Sequence, residues 1–287
     1  MKILVTGANG QLGYDVCRRL AALGYAAERD YRGIDIADLD ITNERAVHEY
    51  VQAYRPDAVI HCAAYTAVDR VEGERDACMR VNAYGTKYLA EAAAEIGARF
   101  LYISTDYVFD GEKEGAYLPE DDVCPVSVYG ESKELGEQFV RAACAQHFIV
   151  RISWVFGVHG NNFIKTMLRL CETRDTLNVV SDQVGSPTYT SDLAVLLCDM
   201  IGTERYGTYH ATNTGTCSWY EFAREIFRRA GKHVNVVPVT TQEYLRMVPQ
   251  QAHRPKNSVM AQDKLTKNGF ALLPDWKDAL GRFLAEI

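Results

Sequence analysis

Short apolar runs alternate with longer amphipathic stretches through the first two thirds of the chain. Apolar runs that predict strands fall near residues 2–6, 31–35, 58–62, 99–104 and 148–152. Amphipathic stretches that predict helices fall near 11–23, 44–54, 76–96 and 129–144. Such alternation predicts an α/β fold built on a doubly wound parallel sheet with helices on both faces. Right-handed crossovers then place the carboxyl ends of the strands along one edge of the sheet.

The pattern after residue 152 is less regular. Ser218-Trp-Tyr-Glu221 has the spacing of a capping box and predicts a helix that runs to about Ala230. The other elements predicted here are a helix at 162–173, a strand at 177–180, a helix at 191–201, a short strand at 207–210 and a last helix after Pro274. This irregularity indicates a second, smaller lobe assembled from several segments.

Three glycines lie between the first predicted strand and the first predicted helix. Glycine allows a tight turn and a close approach of the backbone to a pyrophosphate, which the N–H groups and dipole of the following helix also attract. A turn with a purely structural role is the alternative, but the strand–turn–helix context favours nucleotide binding. We therefore predict a Rossmann-type site whose contacts to a dinucleotide come from Gly7, Asn9, Gly10, Gln11, Leu12 and Gly13.

Other strand ends extend this predicted site. Asp35 ends the second strand about 20 residues past the glycines, where a carboxylate usually binds the adenosine ribose, although it could also be a solvated strand end. A carboxylate here would repel a 2′-phosphate and so favours NADH over NADPH, a preference that the nearby Arg29 and Arg32 could reverse. Asp40 and Ile41 are predicted to flank the adenine. Small residues after the third strand leave room for the cofactor to cross the sheet edge, and this segment is Ala63, Ala64, Tyr65 and Thr66.

These features divide the chain into two predicted lobes. Residues 1–152 form a dinucleotide-binding domain, to which segments near 177–210 return. Residues 153–176 and 211–287 form a smaller α/β substrate-binding lobe.

Candidate acid–base chemistry lies at residues 105, 129 and 133. Tyr129 and Lys133 are four residues apart and so lie on one face of a predicted helix. The ordinary pKa of tyrosine is about 10, and a neighbouring cation lowers it towards the range that a general acid or base needs at neutral pH. Thr105, at the end of a strand, supplies a hydroxyl to face this pair. A surface contact without a role is the alternative, yet among 17 tyrosines only Tyr129 is followed by a lysine four residues on.

Composition excludes several other classes of protein. The chain has 287 residues, of which 47% are hydrophobic and 24% charged, and its net charge of −7 argues against a nucleic-acid binder. No apolar run approaches the roughly 18 residues of a membrane helix, and no signal peptide is expected because the first strand begins at once. The eight cysteines are scattered without a C-x-x-C pair. We therefore expect reduced thiols and a cytoplasmic location. We also expect the protein to be a monomer or homodimer.

The chain as a whole resembles the extended short-chain dehydrogenase/reductases. The resemblance covers essentially the whole chain. It is specific because many motifs occur together in the same order along the chain. The motifs are Thr6-Gly-Ala-Asn-Gly-Gln-Leu-Gly13, Ala64-Tyr-Thr-Ala-Val-Asp69, Ser104-Thr-Asp-Tyr-Val-Phe-Asp-Gly111, Tyr129 with Lys133, Arg151-Ile-Ser-Trp-Val-Phe-Gly157, Asn161-Asn-Phe163, Asp182-Gln-Val-Gly-Ser-Pro-Thr188 and Arg254-Pro-Lys-Asn-Ser258.

This resemblance implies reduction of the 4-keto group of a dTDP-linked sugar by NADH or NADPH. Tyr129 would donate the proton to the developing alkoxide. Lys133 would lower the pKa of Tyr129 and hold the nicotinamide ribose. Thr105 would hydrogen-bond the reacting oxygen.

The resemblance also implies a set of substrate contacts. Asp106 and Tyr107 would line the sugar pocket. Trp154 would pack on the nucleotide-sugar, although a large aromatic residue at a strand end is often core. Arg254 would pair with the diphosphate, since a planar guanidinium binds phosphate oxygens bidentately; a plain surface charge is the alternative.

Some members of the family form a magnesium-bridged dimer built on carboxylates. Here Asp15 stands where those members carry a Glu, and Tyr189-Thr-Ser191 stands where we would seek another acid. No metal site is therefore predicted. Two other functions stay open, namely a non-catalytic nucleotide-binding regulatory subunit, as in the β subunit of methionine adenosyltransferase, and another nucleotide-sugar reductase or epimerase.

Overall fold

The computed structural model describes residues 1–248 and 252–287. Its strands are β1 (Ile3–Thr6), β2 (Tyr31–Ile34), β3 (Ala58–His61), β4 (Arg99–Thr105), β5 (His147–Ile152), β6 (Val155–Phe156), β7 (Thr176–Val180), β8 (Val184–Gly185), β9 (Thr188–Tyr189), β10 (Gly207–His210), β11 (Asn213–Thr214), β12 (Cys217–Ser218), β13 (Asn235–Val239) and β14 (Leu273–Asp275). Its α-helices are α1 (Gln11–Ala22), α2 (Glu44–Tyr54), α3 (Val68–Val71), α4 (Arg75–Met79), α5 (Thr86–Glu95), α6 (Val128–Ala143), α7 (Phe163–Leu170), α8 (Thr190–Ile201), α9 (Trp219–Arg229), α10 (Thr241–Met247), α11 (Asp263–Lys267) and α12 (Trp276–Glu286).

A six-stranded sheet in the order β10-β5-β4-β3-β1-β2 forms the centre of the larger lobe. All of its strand pairs are parallel. The carboxyl ends of β1, β2, β3 and β4 therefore meet at one edge. The predicted doubly wound α/β fold of Rossmann type is confirmed.

Successive strand residues point to opposite faces of this sheet, as the pleat requires. Ile3 and Val5 belong to the core beneath α1 and α8, whereas Leu4 belongs to the core beneath α2, α5 and α6. The tail also contributes to the first of these cores through Leu265, Phe270 and Leu273. Two apolar layers thus cover both faces of the sheet.

The smaller lobe has its own core, made largely by α7, β7, α9 and α12. Within the stretch at 177–210 that the sequence predicts to return to the first domain, α8 packs on the sheet and β10 extends it. The strand predicted at 177–180 does not return. It forms β7, which pairs with β13, and its alternate residues Leu177 and Val179 share one face that is buried in the smaller core.

Several predicted elements need correction in detail. The helix predicted at 76–96 is interrupted by a π-helical turn at Arg80–Gly85. The strand β13 and the helix α10 were not predicted. The capping box of Ser218 and Glu221 is present, with both reciprocal hydrogen bonds. No helix among the described residues is long and apolar enough to cross a membrane.

Candidate functional site

The glycine turn joins β1 to α1 with almost no space for side chains. Gly7 has a φ of +68°, and a Cβ there would lie 2.7 Å from the backbone of Ala63. A Cβ on Gly13 would lie 2.1 Å from the carbonyl oxygen of Gly7. Gly10 is the N-cap of α1, and no described side chain caps this helix or places an acid in its first turn. The turn therefore presents bare backbone and an open helix N-terminus, which fits the pyrophosphate of a dinucleotide.

A cleft of about 630 Å³ includes this turn, and we call it the glycine-turn cleft. Its size is that of a small-molecule site. The predicted cofactor residues that line it are Gly7, Asn9, Gly10, Asp35, Asp40, Ile41, Ala63, Ala64 and Tyr65. Lining residues that the sequence reasoning missed are Thr6, Ile34, Ile36, Leu39, Thr42, Cys62, Ala77, Arg80 and Val81. Most of the missed residues adjoin predicted ones, but the last three come from the helical stretch after Arg75, where no local motif marks them.

Both carboxylates of the glycine-turn cleft hold its loops in place. Asp35 accepts hydrogen bonds from the backbone N–H of Asn9 at 3.0 Å and of Ile36 at 2.8 Å. Asp40 accepts from the backbone N–H of Thr42 at 2.9 Å and from its hydroxyl at 2.8 Å. Asp35 thus ties the glycine turn to the end of β2, in the position from which a ribose hydroxyl could be bound.

Six predicted cofactor residues do not line the cleft, namely Gln11, Leu12, Gly13, Thr66, Tyr129 and Lys133. Gln11 accepts a hydrogen bond from the amide of Asn162 at 3.1 Å, and Leu12 is buried in the core. Gly13 packs on the turn itself, and Thr66 is exposed. Gln11, Leu12 and Gly13 would contact a cofactor through their backbone at the start of α1. This contact stays a prediction.

Tyr129 lies in the first turn of α6, next to the end of β4. The N-cap of this helix is Ser127, whose side chain accepts a hydrogen bond from the Gly130 N–H at 3.1 Å. The ring of Tyr129 meets that of Tyr107 edge-on, with centroids 5.5 Å apart. Burial raises the pKa of Tyr129, the charge of Asp106 raises it further, and a hydrogen-bonding contact with Thr105 opposes them. The phenol is therefore protonated at neutral pH.

Lys133 is buried one turn along α6, with 3% of its surface exposed. Its Nζ lies 4.1 Å from the ring centroid of Tyr102. Burial lowers the pKa of Lys133 to about 7, against an opposing effect of Glu137. Burial is the largest influence on the pKa of Tyr129, and the Lys133 ammonium lies over another ring, so a lowering of that pKa by Lys133 stays a prediction.

Thr105 and Asp106 form a buried polar pair beside Tyr129. The Thr105 hydroxyl donates to Asp106 Oδ1 at 2.9 Å and accepts from the Tyr107 N–H at 3.2 Å. Asp106 Oδ2 is buried and makes no hydrogen bond of normal geometry to another described residue, although the Ser258 side chain lies near the carboxyl group. Burial raises the pKa of Asp106 to about 6, although contacts with Ser258 and Thr105 lower it. An unpartnered buried oxygen beside the phenol is a place where a ligand hydroxyl could donate.

The raised pKa of Asp106 predicts a pH dependence of stability. The unfolded chain releases this proton near the ordinary value of 3.8, whereas the folded protein holds it up to about pH 6. Because the folded state binds more protons between these values, the free energy of unfolding contributed by this group falls as the pH rises through that window. Urea denaturation of the native protein and Asp106→Asn should show their difference in free energy of unfolding change across it. A constant difference would contradict the assignment.

A second cavity, of about 380 Å³, lies in the smaller lobe, and we call it the aromatic cavity. The predicted substrate residues that line it are Tyr107, Trp154 and Arg254. Lining residues that the sequence reasoning missed are Val155, Phe156, Phe163, Met167, Asn178, Val179, Val180, Gln183, Trp219, Phe222, Thr241, Tyr244, Leu245, Ala252 and His253. Val155, Phe156, Phe163 and Gln183 lie within motifs that the sequence offers, but most of the others come from distant segments that no local motif joins to these.

Trp154 and Arg254 give this cavity an aromatic wall and a cation. Trp154 has a φ of +48° and stacks on Trp219, with centroids 3.7 Å apart and a tilt of 14°. Arg254 pairs with the carboxylate of Asp69 at 2.9 Å and interacts with the Tyr107 side chain. Flat rings and a guanidinium in one cavity suit a nucleotide, whose base stacks and whose phosphates bind the cation.

Tyr129 lies between the two cavities. Its ring contacts Tyr107, which lines the aromatic cavity. It also packs on the same small cluster of Val71, Cys78 and Val128 as Tyr65, which lines the glycine-turn cleft. The phenol thus adjoins a lining residue of each cavity, although Tyr129 itself lines neither.

Among the described residues, one group of side chains has the spacing needed to bind a metal ion. Glu44, His48 and Glu91 place ligand atoms within 4.8 Å of one another on α2 and α5. None of the three lines either cavity. Asp15, the residue relevant to a metal-bridged dimer, is buried and accepts a hydrogen bond from the Thr190 hydroxyl.

Comparison with known proteins gives full-length matches. Residues 1–287 match the family described as RmlD substrate binding domain. The chain is 41% identical to the spore coat polysaccharide biosynthesis protein SpsK of Bacillus subtilis, covering 99% of this chain and 97% of the relative. It is also 41% identical to the dTDP-4-dehydrorhamnose reductase of Aggregatibacter actinomycetemcomitans, covering 97% of each. The crystal structure of the Bacillus anthracis dTDP-4-dehydrorhamnose reductase in complex with NADP superposes with a TM-score of 0.93 at 46% identity, covering all of both chains.

Proposed function

Because the chain belongs to the RmlD substrate binding domain family, we infer that it is an oxidoreductase that reduces the 4-keto group of dTDP-4-dehydro-L-rhamnose to give dTDP-L-rhamnose, with NADH or NADPH as reductant. The observation that carries the chemistry is the position of Tyr129 between the glycine-turn cleft and the aromatic cavity. The dTDP-4-dehydrorhamnose reductases match this chain over nearly their whole length, so the comparison extends to both the larger and the smaller lobe.

The glycine-turn cleft is the proposed site of the nicotinamide dinucleotide. The N-terminus of α1 faces the pyrophosphate, and Asp35 binds the adenosine ribose. The reduced nicotinamide supplies the hydride when it is bound. The absence of side chains at Gly7 and Gly13 supports this assignment, because a Cβ at either position would meet backbone atoms.

The aromatic cavity is the proposed site of the dTDP moiety. Trp154 packs on the nucleotide-sugar, and Arg254 binds the diphosphate in place of, or together with, its present partner Asp69. Tyr107 lines this cavity and touches Tyr129, so a sugar attached to that nucleotide extends towards the phenol. Asp106, with its unpartnered oxygen, accepts a hydrogen bond from a sugar hydroxyl.

Tyr129 donates the proton that the reaction consumes. Its raised pKa keeps the phenol protonated at neutral pH, which is the state a proton donor requires. The Thr105 hydroxyl is in hydrogen-bonding contact with the Tyr129 phenol. Thr105 therefore orients the sugar oxygen towards that phenol. Lys133 helps to hold the nicotinamide ribose, and in its charged form it stabilises the phenolate left after proton transfer.

We further propose that the protein works in the cytoplasm as a monomer or homodimer. All eight cysteines are free thiols, which suits a reducing compartment. The net charge of −7 supports a small-molecule substrate rather than nucleic acid.

Oxidation of reduced coenzyme in the presence of the keto sugar tests the reaction. We expect absorbance of NADPH or NADH to fall only when dTDP-4-dehydro-L-rhamnose is added, and dTDP to raise the melting temperature more than UDP or GDP does. An epimerase would convert the sugar without net oxidation of coenzyme. A regulatory subunit would bind nucleotide but leave both compounds unchanged, and either result would refute the proposed reaction.

A further inference from the structure

The charges of the glycine-turn cleft do not match a preference for NADH alone. Asp35 and Asp40 are its carboxylates, and both already accept hydrogen bonds from their own loops. Among the described residues that line the cleft, Arg80 is the one with a cationic side chain. A dinucleotide without a 2′-phosphate would not need the Arg80 cation in this cleft.

Arg80 is placed by an irregular turn of helix. It begins the π-helical turn Arg80–Gly85, a distortion that is frequent at functional sites. Gly85 ends that turn against Ile41, where a Cβ would lie 2.9 Å from the isoleucine side chain. This close packing holds the helix against the segment 39–42, which lines the cleft on the side assigned to the adenosine.

Arg80 has no competing partner within the described part of the chain. It is exposed, and no hydrogen bond or ion pair joins it to another described residue. By contrast, Arg29 pairs with Asp30 at 2.7 Å, and Arg32 pairs with Glu28 at 2.7 Å and lies over the Tyr54 ring. Neither of these two arginines lines the cleft, so neither is placed to reverse the preference set by Asp35.

We propose that Arg80 binds the 2′-phosphate of NADPH and so allows the cleft to accept this coenzyme beside the Asp35 carboxylate. This inference rests on the proposed function of the cleft. The pyrophosphate is already provided for by the open N-terminus of α1, whereas the 2′-phosphate has no other cation in the cleft. A guanidinium can bind two phosphate oxygens at once, and the contact compensates the repulsion from Asp35.

Direct coenzyme binding, measured by calorimetric titration with NADPH and with NADH in the absence of sugar, tests the assignment. In Arg80→Gln we expect the dissociation constant for NADPH to rise about tenfold, the scale of one charge-assisted contact, while that for NADH stays within about twofold. Arg80→Lys should recover part of the NADPH affinity, because a single charge remains. Arg32→Gln is the matched control, and it should change neither constant.

The outcomes separate this inference from the function on which it rests. An equal loss for both coenzymes in Arg80→Gln would overturn it, since the arginine would then act on a part that they share. Unchanged binding of both would also overturn it while leaving the reductase intact. Failure of the native protein to bind either coenzyme would instead refute the proposed function of the cleft.

Discussion

Replacement of Tyr129 by Phe is expected to lower kcat by about 10²- to 10⁴-fold, the usual contribution of a positioned general acid. The phenol is the group that lies between the two cavities, and its raised pKa keeps its proton in place until charge develops on the sugar oxygen. Phe retains the ring and hence the edge contact with Tyr107. Steady-state kinetics with saturating coenzyme and keto sugar would measure the effect.

Coenzyme binding separates loss of the proton donor from loss of the site. Tyr129→Phe should bind NADPH and dTDP with nearly native affinity, since it removes one oxygen from a partly buried ring. Tyr107→Phe makes the same chemical change on the neighbouring ring and should reduce kcat by less than about tenfold, because that hydroxyl donates no proton to the product. A native kcat in Tyr129→Phe would remove this residue from the mechanism.

Replacement of Arg151 by Met is expected to lower the free energy of unfolding by about 3–5 kcal/mol, the cost of breaking a buried ion pair from one side. Glu137 and Arg151 are both buried, and the guanidinium donates to the two carboxylate oxygens at 2.8 and 2.7 Å. The Ser104 hydroxyl donates to the same carboxylate at 2.6 Å. Without Arg151, a buried carboxylate between β4 and α6 loses its principal counter-charge.

Arg141 provides a matched control on the same carboxylate. It pairs with Glu137 at 2.6 Å, but 39% of its side chain is exposed. Arg141→Met should therefore cost no more than about 1 kcal/mol, as exposed pairs generally do. Urea denaturation would compare the two variants, and equal losses would show that burial does not set the strength of this pair.

The parts of the site that the sequence predicted depend on local patterns. The glycine turn, Asp35 and the segment after β3 each follow a strand of the parallel sheet, and parallel topology alone brings such positions to one edge. A few neighbouring residues were therefore enough to identify each of these three features. The roles of the individual side chains in binding and catalysis stay predictions.

The features that the sequence reasoning missed depend on contacts between distant segments. In the described part of the chain, β13 contains Pro238 and pairs with β7 alone, about 60 residues earlier, so the adjoining sequence did not mark it as a strand. The helix α10 has seven residues, none of them buried, and so short a segment shows no clear apolar periodicity. Its capping box of Thr240 and Glu243 is the one local signal that could have revealed it.

The pKa of Tyr129 likewise depends on contacts that sequence spacing does not give. Four-residue spacing shows that Tyr129 and Lys133 share a helix face, but it fixes only where the side chains begin. The long lysine side chain ends over Tyr102, a residue of β4. Burial, which decides both pKa shifts, is a property of the packed lobe and cannot be obtained from spacing.

The chain's last segment joins both cores and thereby makes the two lobes inseparable. Leu265, Phe270 and Leu273 complete the layer beneath α1 and α8, and Trp276, Leu280 and Phe283 complete the core of the smaller lobe. A fragment truncated at residue 152 would keep α1 but lose α8 and the tail residues from the same side of its sheet, and it would self-associate through the exposed surface. Heat should accordingly melt the whole protein in one cooperative step rather than lobe by lobe.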